Sequence, residues 1–196
     1  MRSPSMVIET VVTTLDRAGA VNFAAMGVVW GAESITIRPF TNTRTYRNLS
    51  EVGEAVVNVT DNVLIFARSA LSQEKFECVP ARQVRGVVLK DTCYWREVVV
   101  RQIVLPENDN GTARRAEVVA RVVGGGAVRQ FEGLCRAKHA VVEASILASR
   151  LRLLPRQETL NELDRLEALV ERTGGSTERE AMGFIRAYVA GKLSPA

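Results

Sequence analysis

Residues 38–49 read RPFTNTRTYRNL and gather Thr41, Asn42, Thr43, Thr45 and Asn48 beside Arg38, Arg44 and Arg47. Hydroxyls, amides and guanidinium groups just ahead of a helix are the donor set a phosphate monoester needs. The free N–H groups and dipole of a helix start favour the dianion, and arginine adds charge-assisted, bidentate bonds. The same residues also read as a polar loop closed by a helix cap. Residues 22–28, NFAAMGV, place small side chains around Gly27. A flat ligand could approach a strand backbone closely there, and a buried strand with a tight bend is the alternative. Residues 56–62, VVNVTDN, put Asn58 inside an apolar strand. Its amide needs a partner, either in the core or on a ligand.

Other chemistry is scarce. The chain has 1 histidine, His139, and 3 cysteines, Cys78, Cys93 and Cys135, with no CxxC pair. A zinc site of several histidines is therefore excluded, and a disulfide framework is not expected. Neither a GxSxG elbow nor a GxxxxGK[ST] loop is present. The glycine run 124–126 lacks GxGxxG spacing and reads as a flexible turn. Lys138 and His139 open a helical stretch, where they could serve a site or be ordinary surface charges. A histidine could protonate a substrate near neutral pH. Trp30, Trp95, Tyr46 and Tyr94 could stack on a ring or fill a core.

The elements that must position these groups are mostly strands in the first two thirds. Residues 6–14, 21–30, 34–40, 55–59, 84–89, 96–105 and 116–123 are apolar and rich in β-branched residues, and turn signals separate most of them. Asn108, Asp109 and Asn110 mark a hairpin-type loop at 106–111. Many short strands with such punctuation predict a barrel or sandwich. Two short helices are expected within it, at 45–53 behind threonine caps and at 61–71 with Asp61 as cap. From Arg136 the period changes. A stripe from Ala140 to Leu151, a second from Leu160 to Val170, and a Thr177–Glu180 capping box before a helix ending ahead of Gly191 predict a three-helix tail.

Composition bounds the partners. The 196 residues carry 46% hydrophobic and 24% charged side chains and a net charge of +4. The excess is spread along the chain, and with 6% aromatics it builds no nucleic-acid stripe. No apolar run is long enough to span a membrane and no signal-peptide pattern opens the chain, so a cytoplasmic protein is expected.

The order ETVVTT at 9–14, NFAAMGV, RPFTNTRTYRNL and VVNVTDN, followed by RAKHAVVEA at 136–144, resembles the DUF447 family. The resemblance implies an α+β chain: a flavin-reductase-like, FMN-binding split β-barrel over 1–133, then a small three-helix C-terminal domain over 134–196. It implies FMN as cofactor, with Arg38, Thr43, Thr45 and Asn48 at the phosphate. The backbone of Met26, Gly27 and Val28 would face the ring, and Asn58 would lie near the ribityl chain or ring. Ala25 stands where many split barrels carry proline. Such barrels are usually homodimers with flavin at the subunit interface. The implied function is a flavin-dependent oxidoreductase acting on a small molecule, nicotinamide- or pterin-linked. A non-catalytic flavin carrier or sensor is the alternative, and no catalytic side chain is assigned.

Overall fold

The computed structural model describes residues 6–105 and 114–193. The loop expected at 106–111 lies outside them. The chain divides into two compact units, one formed by residues 1–60 and 75–130 and the other by 61–74 and 131–196.

The first unit is a closed barrel. Its strands are β1 (Val7–Leu15), β2 (Val21–Val29), β3 (Ser34–Ile37), β4 (Glu54–Val59), β7 (Tyr94–Val104) and β8 (Glu117–Ala127). They pair in the order β1-β2-β3-β8-β7-β4. A short hairpin, β5 (Cys78–Pro80) with β6 (Val87–Leu89), is added outside that order. It replaces the single strand expected at 84–89. β1 and β2 form a hairpin in register from Val7↔Val29 to Leu15↔Val21. Its turn is held by the Asp16 carboxylate, which accepts from the Ala20 N–H at 2.8 Å.

Strand side chains alternate between faces, and the inward set here is apolar. Val12, Val28, Ile35, Ile37, Val57, Val98, Val118 and Ala120 fill the interior. Helix α1 (Arg44–Glu51) adds Leu49 and Tyr46 to that cluster. After α1 the chain turns into β4 through Gly53, whose φ of +76° suits glycine.

Residues 124–126 belong to β8 and are not a turn. A Cβ on Gly126 would come within 2.4 Å of the Trp95 ring. The small residues therefore let large side chains of β7 lie across β8. Trp95 itself packs with Val56, Val84 and Val88 outside the barrel interior.

The second unit is helical. It contains α2 (Val63–Leu71), α3 (Arg136–Ser149), α4 (Arg156–Thr173) and α5 (Ser176–Leu193) around Ala140, Val141, Ala144, Leu163, Leu166 and Ile185. Helix α2 buries Val63 and Ala67 in this cluster, although the sequence places it between barrel strands. Its cap is Asn62, which accepts from the N–H groups of Leu64 and Ile65, and not the expected Asp61. At α5 the capping carboxylate is Glu178, which reaches back to the Gly175 N–H at 2.8 Å. Glu180 instead bonds Arg68 of α2. Helix α5 also runs through Gly191, because a glycine near a helix end costs only about 1 kcal/mol.

Asp61 has a different task. Its buried carboxylate accepts from the Glu132 N–H at 3.2 Å and lies 3.3 Å from the Lys138 ammonium. Burial alone would lower the Lys138 pKa, but bonds and charges from Asp61 and Glu132 outweigh it and hold the value above the ordinary lysine range. A raised lysine stabilises the fold fully below its unfolded value and loses that contribution as pH climbs through the folded one. Lys138→Met should lower the unfolding free energy at neutral pH by roughly 2 kcal/mol, because it removes the cation that faces the buried Asp61 carboxylate. Urea titrations should show the loss at pH 7 and a smaller difference between the two proteins once the pH climbs through the raised folded-state value of the lysine.

Candidate functional site at the opening between β2 and β3

The barrel is closed in strand order but not along every strand. β2 pairs with β1 over all nine residues, yet its ladder with β3 contains only Val28↔Ile37 and Val29↔Thr36. Beyond that point the chain leaves β2 and continues only the ladder with β8 that β3 already makes. The Ala116 N–H donates to the Pro39 carbonyl at 3.0 Å, the Thr41 N–H to the Arg114 carbonyl at 2.8 Å, and Phe40 bridges Arg115. The Pro39 carbonyl accepts from Ala116, so the polar side of residue 39 faces the chain leading into β8 and not β2. Among the described residues, 21–27 of β2 are thus paired on one side only, and all are half-buried.

Helix α1 begins beside this opening. Thr43 is its cap: the hydroxyl accepts from the Tyr46 N–H at 3.3 Å and donates to the Phe40 carbonyl at 2.7 Å. The N–H groups of Arg44 and Thr45 precede the first intrahelical bond and meet no acceptor among the described residues. Thr45 and Asn48, one turn apart, are only 2% and 4% exposed. They join a polar network at the barrel end. The Asn22 amide donates to the Thr45 hydroxyl at 3.0 Å and to the Thr14 hydroxyl at 3.4 Å, and the Asn48 amide donates to the Thr14 hydroxyl at 3.0 Å. The Thr45 oxygen is therefore an acceptor from Asn22, which leaves its hydrogen to donate elsewhere. Thr14 and Asn22 are cross-strand partners in the β1–β2 ladder. The sequence reading passed over both. The signal was there, since Thr14 stands two residues from interior Val12 on the inward face of β1.

The arginines divide. Arg38 pairs with Glu117 through Nε at 3.2 Å and Nη2 at 3.1 Å, with both side chains about half exposed. Arg44 and Arg47 are exposed and form no ion pair among the described residues. On β2, Met26 packs against the interior, and its carbonyl accepts from the Thr10 hydroxyl at 2.9 Å. Val28 is an interior side chain with no exposed surface. Gly27 is required by its own barrel, because a Cβ there would meet Val7 Cγ1 at 2.7 Å and Glu9 Oε1 at 2.9 Å.

Asn58 does not reach the opening. It is fully buried, and both ends of its amide are spent inside the barrel. Its nitrogen donates to the Val11 carbonyl at 3.0 Å and the Thr13 hydroxyl at 3.3 Å, while its oxygen accepts from the Leu89 N–H at 3.0 Å. A polar residue in an apolar strand here stitches β4 to β1 and β6. Lys138 and His139 lie on α3 of the helical unit; Lys138 is tied to Asp61 and Glu132, and His139 is exposed.

Family models decide the kinship. One described as "Protein of unknown function (DUF447) N-terminal domain" matches residues 8–129, and one described as "Protein of unknown function (DUF447)" matches residues 135–187. The chain belongs to the DUF447 family. Among solved structures, an FMN-bound DUF447 protein from Methanosarcina mazei is 24% identical, with a TM-score of 0.76 over 94% of this chain and 96% of that one. Nitrilotriacetate monooxygenase component B from Bacillus cereus is 18% identical, with a TM-score of 0.54 over 70% of this chain and 78% of that one. The 2-nitrobenzoate 2-nitroreductase of Pseudomonas fluorescens is 18% identical, with a TM-score of 0.51 over 64% and 66%. The DUF447 chain thus has the flavin-reductase-like split barrel followed by helices that its sequence resemblance implied. Among the described residues no helix is long and apolar enough to cross a membrane.

The roles of Asn58 and of the opening separate experimentally. Asn58→Ala leaves the buried Leu89 N–H without its acceptor, so the unfolding free energy should drop by about 1–3 kcal/mol. Thr45→Val should cost much less. Urea denaturation of the two variants against the parent checks the order.

Proposed function

We propose that this DUF447 protein binds FMN in the opening between β2 and β3 and acts as an FMN-dependent oxidoreductase on a small molecule, nicotinamide- or pterin-linked. The observation that carries the reading is the juxtaposition of a one-sided strand backbone with the uncapped donors of a helix start. The donor set fits the cofactor. A phosphate dianion requires several N–H or O–H donors and positive charge. The Arg44 and Thr45 N–H groups, the Thr45 hydroxyl hydrogen and the guanidinium groups of Arg44 and Arg47 supply them. Arg38 joins at small cost, since an exposed pair such as Arg38–Glu117 is worth under about 1 kcal/mol. Thr43 holds the helix start in place, while Asn22, Thr14 and Asn48 fix the Thr45 hydroxyl. The open edge of β2 at Met26 and Gly27 offers main-chain N–H and C=O groups to the rim of a flat ring.

FMN, when bound, supplies the electron and hydride chemistry, while the protein binds and orients it. The opening needs no nucleophile for that, and among its described side chains the ionisable groups are mainly arginines. The same reading makes the protein a homodimer with flavin at the subunit interface. The exposed Met6 and Val7, beside the half-buried outer side of β2, offer a partner chain an apolar contact. The FMN-bound state of the Methanosarcina mazei relative supports the cofactor.

Titration of flavin-free protein with FMN and with riboflavin, followed by visible absorption, tests the reading. FMN should bind at micromolar concentration and riboflavin at least tenfold more weakly. Thr45→Val should weaken FMN by about tenfold or more, because one hydrogen bond to a charged group is removed, and should leave riboflavin unchanged. Equal affinity for the two flavins would remove the phosphate from α1, and absence of any flavin binding would end the proposal. Stopped-flow mixing of the FMN complex with NADH and NADPH separates an oxidoreductase from a carrier, which neither donor reduces quickly.

A further inference from the structure

Arg96 is half-buried and carries one buried donor atom without an acceptor. Directly opposed residues of antiparallel strands point to the same face. Arg96 stands opposite Val57 of β4 and Gly125 of β8. Val57 and, two residues along β7, Val98 both belong to the interior cluster. The Arg96 side chain therefore turns to the inner side of the barrel, at the end of β7 where Tyr94 meets Trp30. Its Nε is buried and has no hydrogen-bond partner. The guanidinium enters no ion pair among the described residues. Such a group is costly to leave unmatched.

The neighbouring carboxylate does not answer it. Glu97 points to the opposite face, where it accepts from the main-chain N–H groups of Arg82 and Gln83 and lies 3.5 Å from the Trp95 indole nitrogen.

The surroundings are built for a planar group. Gly125 is exposed, and a Cβ there would lie 3.1 Å from Arg96 Cδ and 3.2 Å from Nη1. The missing side chain thus gives the guanidinium its bed along β8. Trp30 and Tyr94, both half-buried, stand edge to face with ring centroids 5.7 Å apart and an interplanar angle of 85°. Burial pushes the Tyr94 hydroxyl up, Cys93 adds to that, and the charge of Arg96 opposes both. Tyr94 and Arg96 are two residues apart on β7 and so share one face of the strand, which sets phenol and guanidinium side by side.

We propose that this end of the barrel is a binding site for a small planar carboxylate, with the carboxylate on the Arg96 guanidinium and the ring beside Trp30 and Tyr94. The site shares no residue with the FMN reading and does not depend on it. Arginine matches a carboxylate through two parallel bonds, and an adjacent aromatic pair adds contact to the flat part of the molecule.

The two tryptophans make the test direct. In full-length protein labelled with nitrogen-15 at tryptophan, the indole signals of Trp30 and Trp95 are assigned with Trp30→Phe. Benzoate is then titrated into flavin-free protein, with benzamide as the uncharged control. The Trp30 signal should move saturably with benzoate, at least tenfold more weakly with benzamide, and more than the Trp95 signal. Arg96→Gln should abolish the response. Arg96→Lys, which keeps the charge and loses the fork, should weaken it severalfold and serves if the glutamine variant does not fold. A Trp30 signal that ignores benzoate, responds equally to benzamide, or responds unchanged in the Arg96 variants overturns the proposal. Repeating the titration with FMN present keeps this result separate from the flavin test.

Discussion

A strand that parts from its neighbour leaves that neighbour's main chain open, and the opening in this barrel follows from where β3 leaves β2. β3 is paired with β8 along its whole length, and after the Val28↔Ile37 pair residues 39–41 stay with residues 114–116 and leave β2. The β8 side of this segment is satisfied. The other is not: among the described residues, β2 from 21 to 27 keeps β1 on one edge and nothing of the sheet on the other. Buried backbone groups are seldom left unpaired. These residues are half-buried, close enough to water to survive alone and sheltered enough for a ligand to displace that water. The opening is a consequence of chain path, and Pro39 sits where the path divides.

The helix that closes the barrel end is anchored by polar contacts as well as by packing. Leu49 and Tyr46 join the interior cluster, while Thr45 and Asn48 reach Asn22 and Thr14. Buried hydroxyls and amides are tolerated because each finds a partner. They also fix the first turn of α1 relative to the open edge of β2. A donor set held by a rigid network loses less freedom on binding than one on a mobile loop. The second unit is stabilised differently, by an apolar cluster of four helices and by the buried Asp61–Lys138 pair.

Much of this was legible in the residues. Alternation in 34–38 marks β3, and the β-branched runs mark β1 and β4. Thr43 stands in the polar stretch where a helix cap was expected. What was not legible depends on contacts distant in sequence. The glycines 124–126 look like a turn, and only Trp95 and Arg96 on the neighbouring strand show why small residues are needed in β8. Asn58 looks equally suited to a ligand or a core, and three strands decide for the core. Helix α2 has the periodicity of a helix, but nothing local says that its apolar face belongs with α3 and α5. Glu178 and Asn62 took over caps expected at neighbouring positions, which reflects how little local sequence separates adjacent polar residues at a helix start.

The account rests on the β2 edge as the flavin site. Amide hydrogen exchange, measured by peptide mass with and without FMN, reads that edge directly. The account predicts slowed exchange in peptides covering residues 21–28 and the first turn of α1, with little change in α4 and α5. Slowed exchange confined to other strands, with β2 and α1 unaffected by saturating FMN, would contradict it.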